Sequence, residues 1–507
     1  MTHSPAMTEQ LLTLWGDVAA LSAASAVLGW DQETQMPPKG LPARGRTMAA
    51  LAGLVHAKLT DPALDDAIAA VEAAPADDVA ATQARLARRA VRRASAVPAD
   101  LARAMAETQS RALGTWQQAK ADDDVAAFAP DLAEIVRLTL EQADAYVAAG
   151  LADTRYDALV DEYEPGWTEA MLAPLLGAVR DELTPIVAAA VDSGIVVDTS
   201  VCGGVLPVDQ QEAFGRFVAA HMGYDFDAGR LDTSAHPFTT GFAPTDVRIT
   251  WRADDGDLRP GLFGIMHEAG HALYEQGLPV DLAGTPAGEA VSLGVHESQS
   301  RLWENLVGRS RSFWRWAMPH LVDHVPGAAV AQLPAGDRVD ALWPALHTVQ
   351  PSLIRVEADE ATYNLHIAVR FELERRLIGG ELDAGDLPGA WDDTYEALLG
   401  IRPTSAADGV LQDIHWAMGA FGYFPTYTLG NLAASQLFEA AAAALGDLDD
   451  QLAAGDLEGL LGWLRTNVHR HASTLDAPAL IEQATGAPLT ADAFMRHIRA
   501  DVAEVYG

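Results

Sequence analysis

His267-Glu268-Ala269-Gly270-His271 is an H-E-x-x-H pattern. Histidines four positions apart share one face of a helix, so both imidazoles can reach a single ion. The acid between them lies beside that face, where it can take a proton from water and later hand it to a leaving amine. The preceding stretch, Pro260 to Met266, is apolar and helix-compatible. Two imidazoles and one carboxylate form a zinc set that leaves a fourth position open, and cobalt suits the same donors. Glu297, in Val295-His296-Glu297-Ser298, lies within a helical pattern from about Ala287 to Val307 and is placed to reach back as the third ligand. The adjacent His296 points elsewhere and is read as a neighbour of the ion, not a ligand. The bland alternative is a chance match, expected from composition on the order of a few per cent of the time.

Other polar residues gather around this pattern in the chain. His236-Pro237-Phe238 follows a strand end, and Asp246-Val247-Arg248-Ile249-Thr250 is a strand carrying an acid and a base. Ile354-Arg355-Val356-Glu357-Ala358-Asp359 opens a periodic helix that runs through Tyr363, His366 and Arg370. Gly409-Val410-Leu411-Gln412-Asp413-Ile414-His415-Trp416 precedes Gly422-Tyr423-Phe424. Each has a plain structural reading. Arg248 can pair with Asp246, His366 can be a satisfied core histidine, and Tyr423 can be packing. Their joint occurrence with the zinc pattern is what shifts the balance.

The elements that must position these groups are mostly helical. Residues 1–200 are rich in Ala and Leu, with Pro98 and Pro130 where first-turn prolines belong and Gly150 and Gly194 as stops. Near residue 200 the character changes. Val247 to Trp251 alternates as a strand, and a second short strand is expected around Val205 or Thr233. From Pro260 onward the chain is helical again. No repeat or linker divides it, so the expectation is one domain over 1–507, with a helical part at 1–200 and a catalytic part at 201–507. Val18 to Leu28 is apolar but too short to span a bilayer, and reads as a buried helix. Arg85, Arg88, Arg89, Arg92 and Arg93 form a stripe read as a solvated face paired with the protein's own acids.

The chain has 507 residues and a formal net charge of −37, from 71 acids against 34 bases. That balance repels nucleic acid and acidic membranes, so neither is an expected partner. Any positive charge needed at a site must be local, from the ion and from Arg248, Arg355 or Arg402. The single cysteine, Cys202, excludes an internal disulfide, favours a reducing compartment and is read as inert. No Lys or Arg precedes Lys39, so the basic start of a secretory signal is lacking.

Six motifs together carry a family resemblance. H-P-F, D-x-R-x-T, H-E-x-x-H, H-E-S, I-R-x-x-A-D and G-x-x-Q-D-x-H-W start at His236, Asp246, His267, His296, Ile354 and Gly409, in that order. The chain resembles the carboxypeptidase Taq family of zinc metallocarboxypeptidases. Softer matches extend the likeness to Trp30-Asp31-Gln32-Glu33-Thr34 and Gly462-Trp463-Leu464. The resemblance implies a mainly α fold: one large helical body with a long substrate groove and a small sheet beside the zinc. It also implies a cytoplasmic homodimer that releases single residues from peptide C-termini with broad specificity. The family's zinc ligands fall on His267, His271 and Glu297, and its general base on Glu268.

An exopeptidase must also hold a free α-carboxylate, and an arginine fork matches one bidentately. Arg355 is the favoured candidate, ahead of Arg248 and Arg402. A developing oxyanion needs a donor besides the metal, for which Tyr423 and His415 are candidates. His236 is a candidate for holding the substrate near its terminal residue. Two alternatives stay open: a zinc endo- or oligopeptidase sharing the same metal set, and a non-catalytic zinc-stabilised helical scaffold. Glu268 speaks against the scaffold, because a structural site needs no acid there.

Overall fold

Helices begin where short polar residues cap them. Asp257 accepts from the Arg259 N–H, Ser292 from Val295 and Asp359 from Thr362. Those caps start the helices Leu258–Gly277, Leu293–Arg301 and Glu360–Gly379. A computed structural model describes residues 4–507 and shows twenty α-helices and one three-stranded sheet among them. The expected mainly α architecture with a small sheet is therefore what the chain adopts.

Several boundaries differ from the sequence reading. Pro98 sits at the N-cap position just outside its helix, and Pro130 lies inside Val125–Ala148, because Asp124 caps that helix a turn earlier. The pattern from Ala287 to Val307 is not one helix: Ser292 starts a helix only at Leu293, and after Arg301 the coil widens into a π segment, Leu302–Val307. Ile354 to Asp359 does not open a helix either. Arg355–Glu357 is a 3-10 turn, and the cap at Asp359 sets the start at Glu360. Val18 to Leu28 belongs to a much longer helix, Ser4–Thr34, and only 11% of its apolar window is buried. One stripe of that helix packs on a cluster with Leu64, Ile68, Val71 and Ala84, while most of the rest is half-buried. By length and composition alone this helix is long enough to cross a bilayer.

The chain forms two compact units, and neither is one continuous stretch. The first comprises Met1–Ala94, Asp198–Leu346 and Ala433–Pro488. It contains the sheet, with strands β1 (Gly229–Thr233), β2 (Thr239–Ala243) and β3 (Asp246–Trp251) in the order β1-β3-β2. β1 runs parallel to β3 with Leu231 opposite Ile249, and β2 runs antiparallel with Thr239 opposite Ile249. β3 was legible in the sequence, and β1 contains Thr233, but β2 was not expected. Val247, Ile249 and Trp251 are buried on β3, and the sheet packs against the helix Leu258–Gly277. The arginine stripe also lies in this unit, where Arg88 pairs with Asp65 and Glu72. Cys202 is buried, which pushes its thiol up to about 11 and leaves it a poor nucleophile.

The second unit comprises Ser95–Val197, His347–Leu432 and Leu489–Gly507. Its central helix, Glu360–Gly379, is buried nearly all round. A helix with no solvated face must pair its polar side chains internally. His366 Nδ1 lies 2.6 Å from the Tyr395 hydroxyl, and burial keeps that imidazole neutral. Arg370 reaches Asp413, and Glu374 accepts from Tyr156, Trp416 and the Gly422 N–H.

Candidate metal centre and its surroundings

The helix Leu258–Gly277 carries His267, Glu268 and His271, and the helix Leu293–Arg301 carries Glu297. The two helices meet at a glycine. A Cβ on Gly270 would stand 2.7 Å from the Gln299 carbonyl oxygen and 2.7 Å from Ser300 Cα. Only a residue without a side chain permits that approach. It brings Glu297 Oε2 to 3.6 Å from His267 Nε2 and 3.3 Å from His271 Nε2. One donor atom from each of the three residues fits within a 4.8 Å set, the spacing expected when three ligands share one ion.

The remaining atoms of these ligands are held from behind. His267 Nδ1 lies 2.8 Å from Glu304 Oε2, and His271 Nδ1 lies 3.1 Å from the His296 carbonyl. Such contacts fix the ring so that Nε2 presents its lone pair to a metal. Arg301 donates to Glu297 Oε1 and to Glu304 Oε2, and Arg309 donates to Glu304 Oε1. His296 lies beside His271, and its Nε2 faces Glu275 Oε1 at 2.8 Å. It is thus a neighbour of the ligands, as its place in the chain suggested.

The electrostatics follow from burial and these partners. Burial drives His271 down to about 3, so its imidazole is neutral and free to ligate. Burial also opposes charge on His267, but Glu297 and Glu304 outweigh it and raise the pKa. Burial alone would raise Glu297, yet Arg301 and His267 hold it well below the usual carboxylate range. Glu268 behaves oppositely: burial raises it, with His267 and the Thr239 hydroxyl in opposition. Thr239 Oγ1 lies 2.6 Å from Glu268 Oε2 and also donates within reach of the Glu268 carbonyl at 2.9 Å. A carboxylate with raised proton affinity, held in place, suits proton transfer.

Other candidates in this unit make separate contacts. Arg248 is forked onto Asp246 through two contacts of 2.9 Å and lies over the Trp30 ring at 4.5 Å. His236 is exposed on the β1–β2 connection, where its carbonyl accepts from Ser234 Oγ at 2.6 Å.

In the second unit, Arg355 and His415 stand beside Asp413, and Tyr423 packs against His415. Arg355 is buried; its Nη2 lies 2.9 Å from Asp413 Oδ1 and its Nη1 donates to the Tyr363 hydroxyl at 3.1 Å. Arg370 takes the other oxygen, with Nε 2.7 Å from Asp413 Oδ2. One carboxylate thus faces two guanidinium groups, and the cluster carries a local positive charge. Burial would raise Asp413, but Arg370 and Arg355 hold it far below the usual range. Burial lowers His415 to about 4, and its ring packs against Tyr423 and Phe424. Arg402, by contrast, is half exposed and paired with Asp393 and Glu396.

Sequence reasoning missed Glu304, Arg301 and Thr239, and named Arg370 only as part of a periodic helix. A signal existed for Glu304, which lies seven positions after Glu297 and so on nearly the same helical face. Thr239 offered none, because its strand was not recognised.

Comparison with known proteins identifies the family. The profile of the carboxypeptidase Taq (M32) metallopeptidase family matches residues 10–502. Thermostable carboxypeptidase 1 of Thermus thermophilus is 44% identical, over 98% of this chain and 99% of its own. Thermostable carboxypeptidase 1 of Pyrococcus furiosus is 35% identical, over 97% of each. The crystal structure of the M32 carboxypeptidase from Deinococcus radiodurans superposes with a TM-score of 0.95 at 38% identity, covering 99% of this chain and 100% of that one. The chain belongs to the carboxypeptidase Taq (M32) family of metallopeptidases and is a metallocarboxypeptidase.

Proposed function

We propose that the protein is a zinc-dependent carboxypeptidase of broad specificity that removes single amino acids from peptide C-termini. The observation that carries this is the triangle of His267, His271 and Glu297 with Glu268 beside it on the same helix. When bound, the metal would lower the pKa of water and polarise the scissile carbonyl. Cobalt would satisfy the same donors. Glu268 accepts the proton as the water oxygen attacks the carbonyl carbon. It returns that proton to the amide nitrogen as the C–N bond breaks, which yields a shortened peptide and a free amino acid. Thr239 holds the Glu268 carboxylate in position for both transfers.

Arg355 is assigned to the substrate α-carboxylate, which would compensate the positive charge left where two guanidinium groups share Asp413. Tyr423 and His415 are assigned to the developing oxyanion, His415 as a neutral imidazole able to donate. His236 is assigned to the substrate near its terminal residue, and Arg248 to a supporting role through Asp246.

The test is a peptide ladder followed by mass spectrometry. Stepwise loss of single residues from the C-terminus, blocked by C-terminal amidation, is the expected result. Internal cuts that persist with amidated peptides would favour the endo- or oligopeptidase reading. A homodimer and a cytoplasmic setting belong to the same proposal. Sedimentation velocity of the full chain checks the first and cell fractionation the second.

A further inference from the structure

Four side chains of metal-binding type converge in the second unit, outside the residues assigned above. His347 follows the helix Arg338–Leu346, and Glu360 is the first residue of Glu360–Gly379. His497 and Asp501 lie one turn apart on the last helix, Asp492–Tyr506. His347 Nδ1 is 3.1 Å from Asp501 Oδ2. His497 Nε2 is 3.1 Å from Glu360 Oε1 and 3.5 Å from Asp501 Oδ2. Donor atoms of His347, Glu360 and Asp501 all lie within 4.8 Å of one another.

We propose that these four residues form a second, non-catalytic site for a divalent cation of the zinc class. Two observations carry it. First, His347, Glu360 and Asp501 each put one donor within 4.8 Å of the others, and His497 Nε2 stands against both carboxylates, so two imidazoles and two carboxylates are at hand for a tetrahedral ion. With metal–ligand bonds of about 2.0–2.1 Å, tetrahedral donors stand about 3.3–3.4 Å apart. The 3.1 and 3.5 Å separations straddle that value, as the 3.3 and 3.6 Å separations at the first centre nearly do. Second, Glu360 Oε2 is buried with no hydrogen-bond partner, an acceptor left over after His497 has been counted. A buried carboxylate oxygen without a donor is costly, and a cation would satisfy it.

The site would clamp the C-terminal helix to the segment that carries Arg355. That segment already touches the same helix at the Val349 N–H, which donates to the Tyr506 hydroxyl at 2.8 Å. It is fastened to the central helix where the Gln350 N–H donates to Asp359 at 2.9 Å. The alternative is a purely protein cluster in which a protonated His497 pairs with both carboxylates.

Zinc binding by the full chain separates the two. After chelator treatment and equilibrium dialysis against zinc, the wild type should hold two equivalents. The double variant His267→Asn/His271→Asn should hold one, and adding His347→Gln/His497→Gln should leave none. In the His267→Asn/His271→Asn background, zinc should raise the thermal midpoint and cobalt should give tetrahedral visible absorption. Both effects should vanish with His347→Gln/His497→Gln. Should that background not fold, His347→Gln/His497→Gln or Glu360→Gln in the wild type should lower the stoichiometry from two to one. A wild type holding a single equivalent, or a second equivalent that survives these changes, overturns the proposal.

Discussion

Glu304 Oε2 lies 2.8 Å from His267 Nδ1, on the side of the ring away from Glu297. Arg301 and Arg309 hold that carboxylate, and the pair keeps His267 Nε2 turned toward the metal position. Replacing Glu304 with Gln removes the charge that orients the ring. Metal affinity should fall by about 10- to 100-fold, the usual cost of losing such a partner. Competition against a fluorescent chelator measures it. An unchanged affinity would remove Glu304 from the centre.

Gly270 sets the approach of the two ligand-bearing helices. A methyl group at Gly270→Ala would meet the backbone of Gln299 and Ser300 at 2.7 Å, and neither atom can rotate away. The helices must separate, at about 1–3 kcal/mol of stability. Glu297 would then withdraw from His267 and His271. Urea denaturation and metal stoichiometry should both show a loss; a stable variant with normal metal content would contradict the close-contact argument.

Glu268 is proposed to move protons rather than to bind the metal. Glu268→Gln keeps the size and the contact with Thr239 but cannot accept a proton. Metal content should match the wild type, while kcat falls by about 10²- to 10⁴-fold. A large loss of metal would instead make Glu268 a ligand.

Arg355 shares Asp413 with Arg370, so removing its charge leaves Asp413 still paired. Arg355→Met should therefore fold. If it binds the substrate carboxylate, KM should rise by about 10- to 100-fold, the worth of a charged hydrogen bond. The preference for free over amidated C-termini should fall in parallel. Equal loss on both kinds of peptide would point to a structural role.

Glu374 is fully buried, and burial raises its carboxyl to about 7 against donors at Trp416, Gly422 and Tyr156. Between its ordinary value of 4.5 and about 7, the unfolded chain has lost this proton while the folded chain keeps it. Stability therefore falls as pH rises through that window, by roughly 3 kcal/mol in all, and the loss levels off above the folded pKa. Glu374→Gln removes the group's titration. Urea midpoints between pH 5 and 7 should decline less in the variant than in the wild type; parallel curves would deny the shift.

What the sequence determined by itself rests on local spacing. His267 and His271 share a face because residues four apart always do so on a helix. The alternation of Val247 to Trp251 marked β3 for the same kind of reason. Glu297 was within reach of that logic, since a helical pattern placed it on a neighbouring helix. The motifs also named Asp413 and Arg355, though not what joined them.

The tertiary structure decided the rest, through contacts between residues distant in the chain. Glu304 lies in the π segment Leu302–Val307, and its pairing with His267, 37 residues earlier in the chain, depends on how the two helices pack. Thr239 meets Glu268 only because β2 pairs with β3, and Thr239–Ala243 lacks the alternation that marks a half-buried strand. Arg370 shares Asp413 with Arg355 across 43 residues of chain, buried in a helix whose periodicity marks no particular side chain as functional. The same holds for His347 and Asp501, which lie far apart in sequence and 3.1 Å apart in space. Pairings of this kind depend on how the elements pack, and the helical repeat carries no record of it.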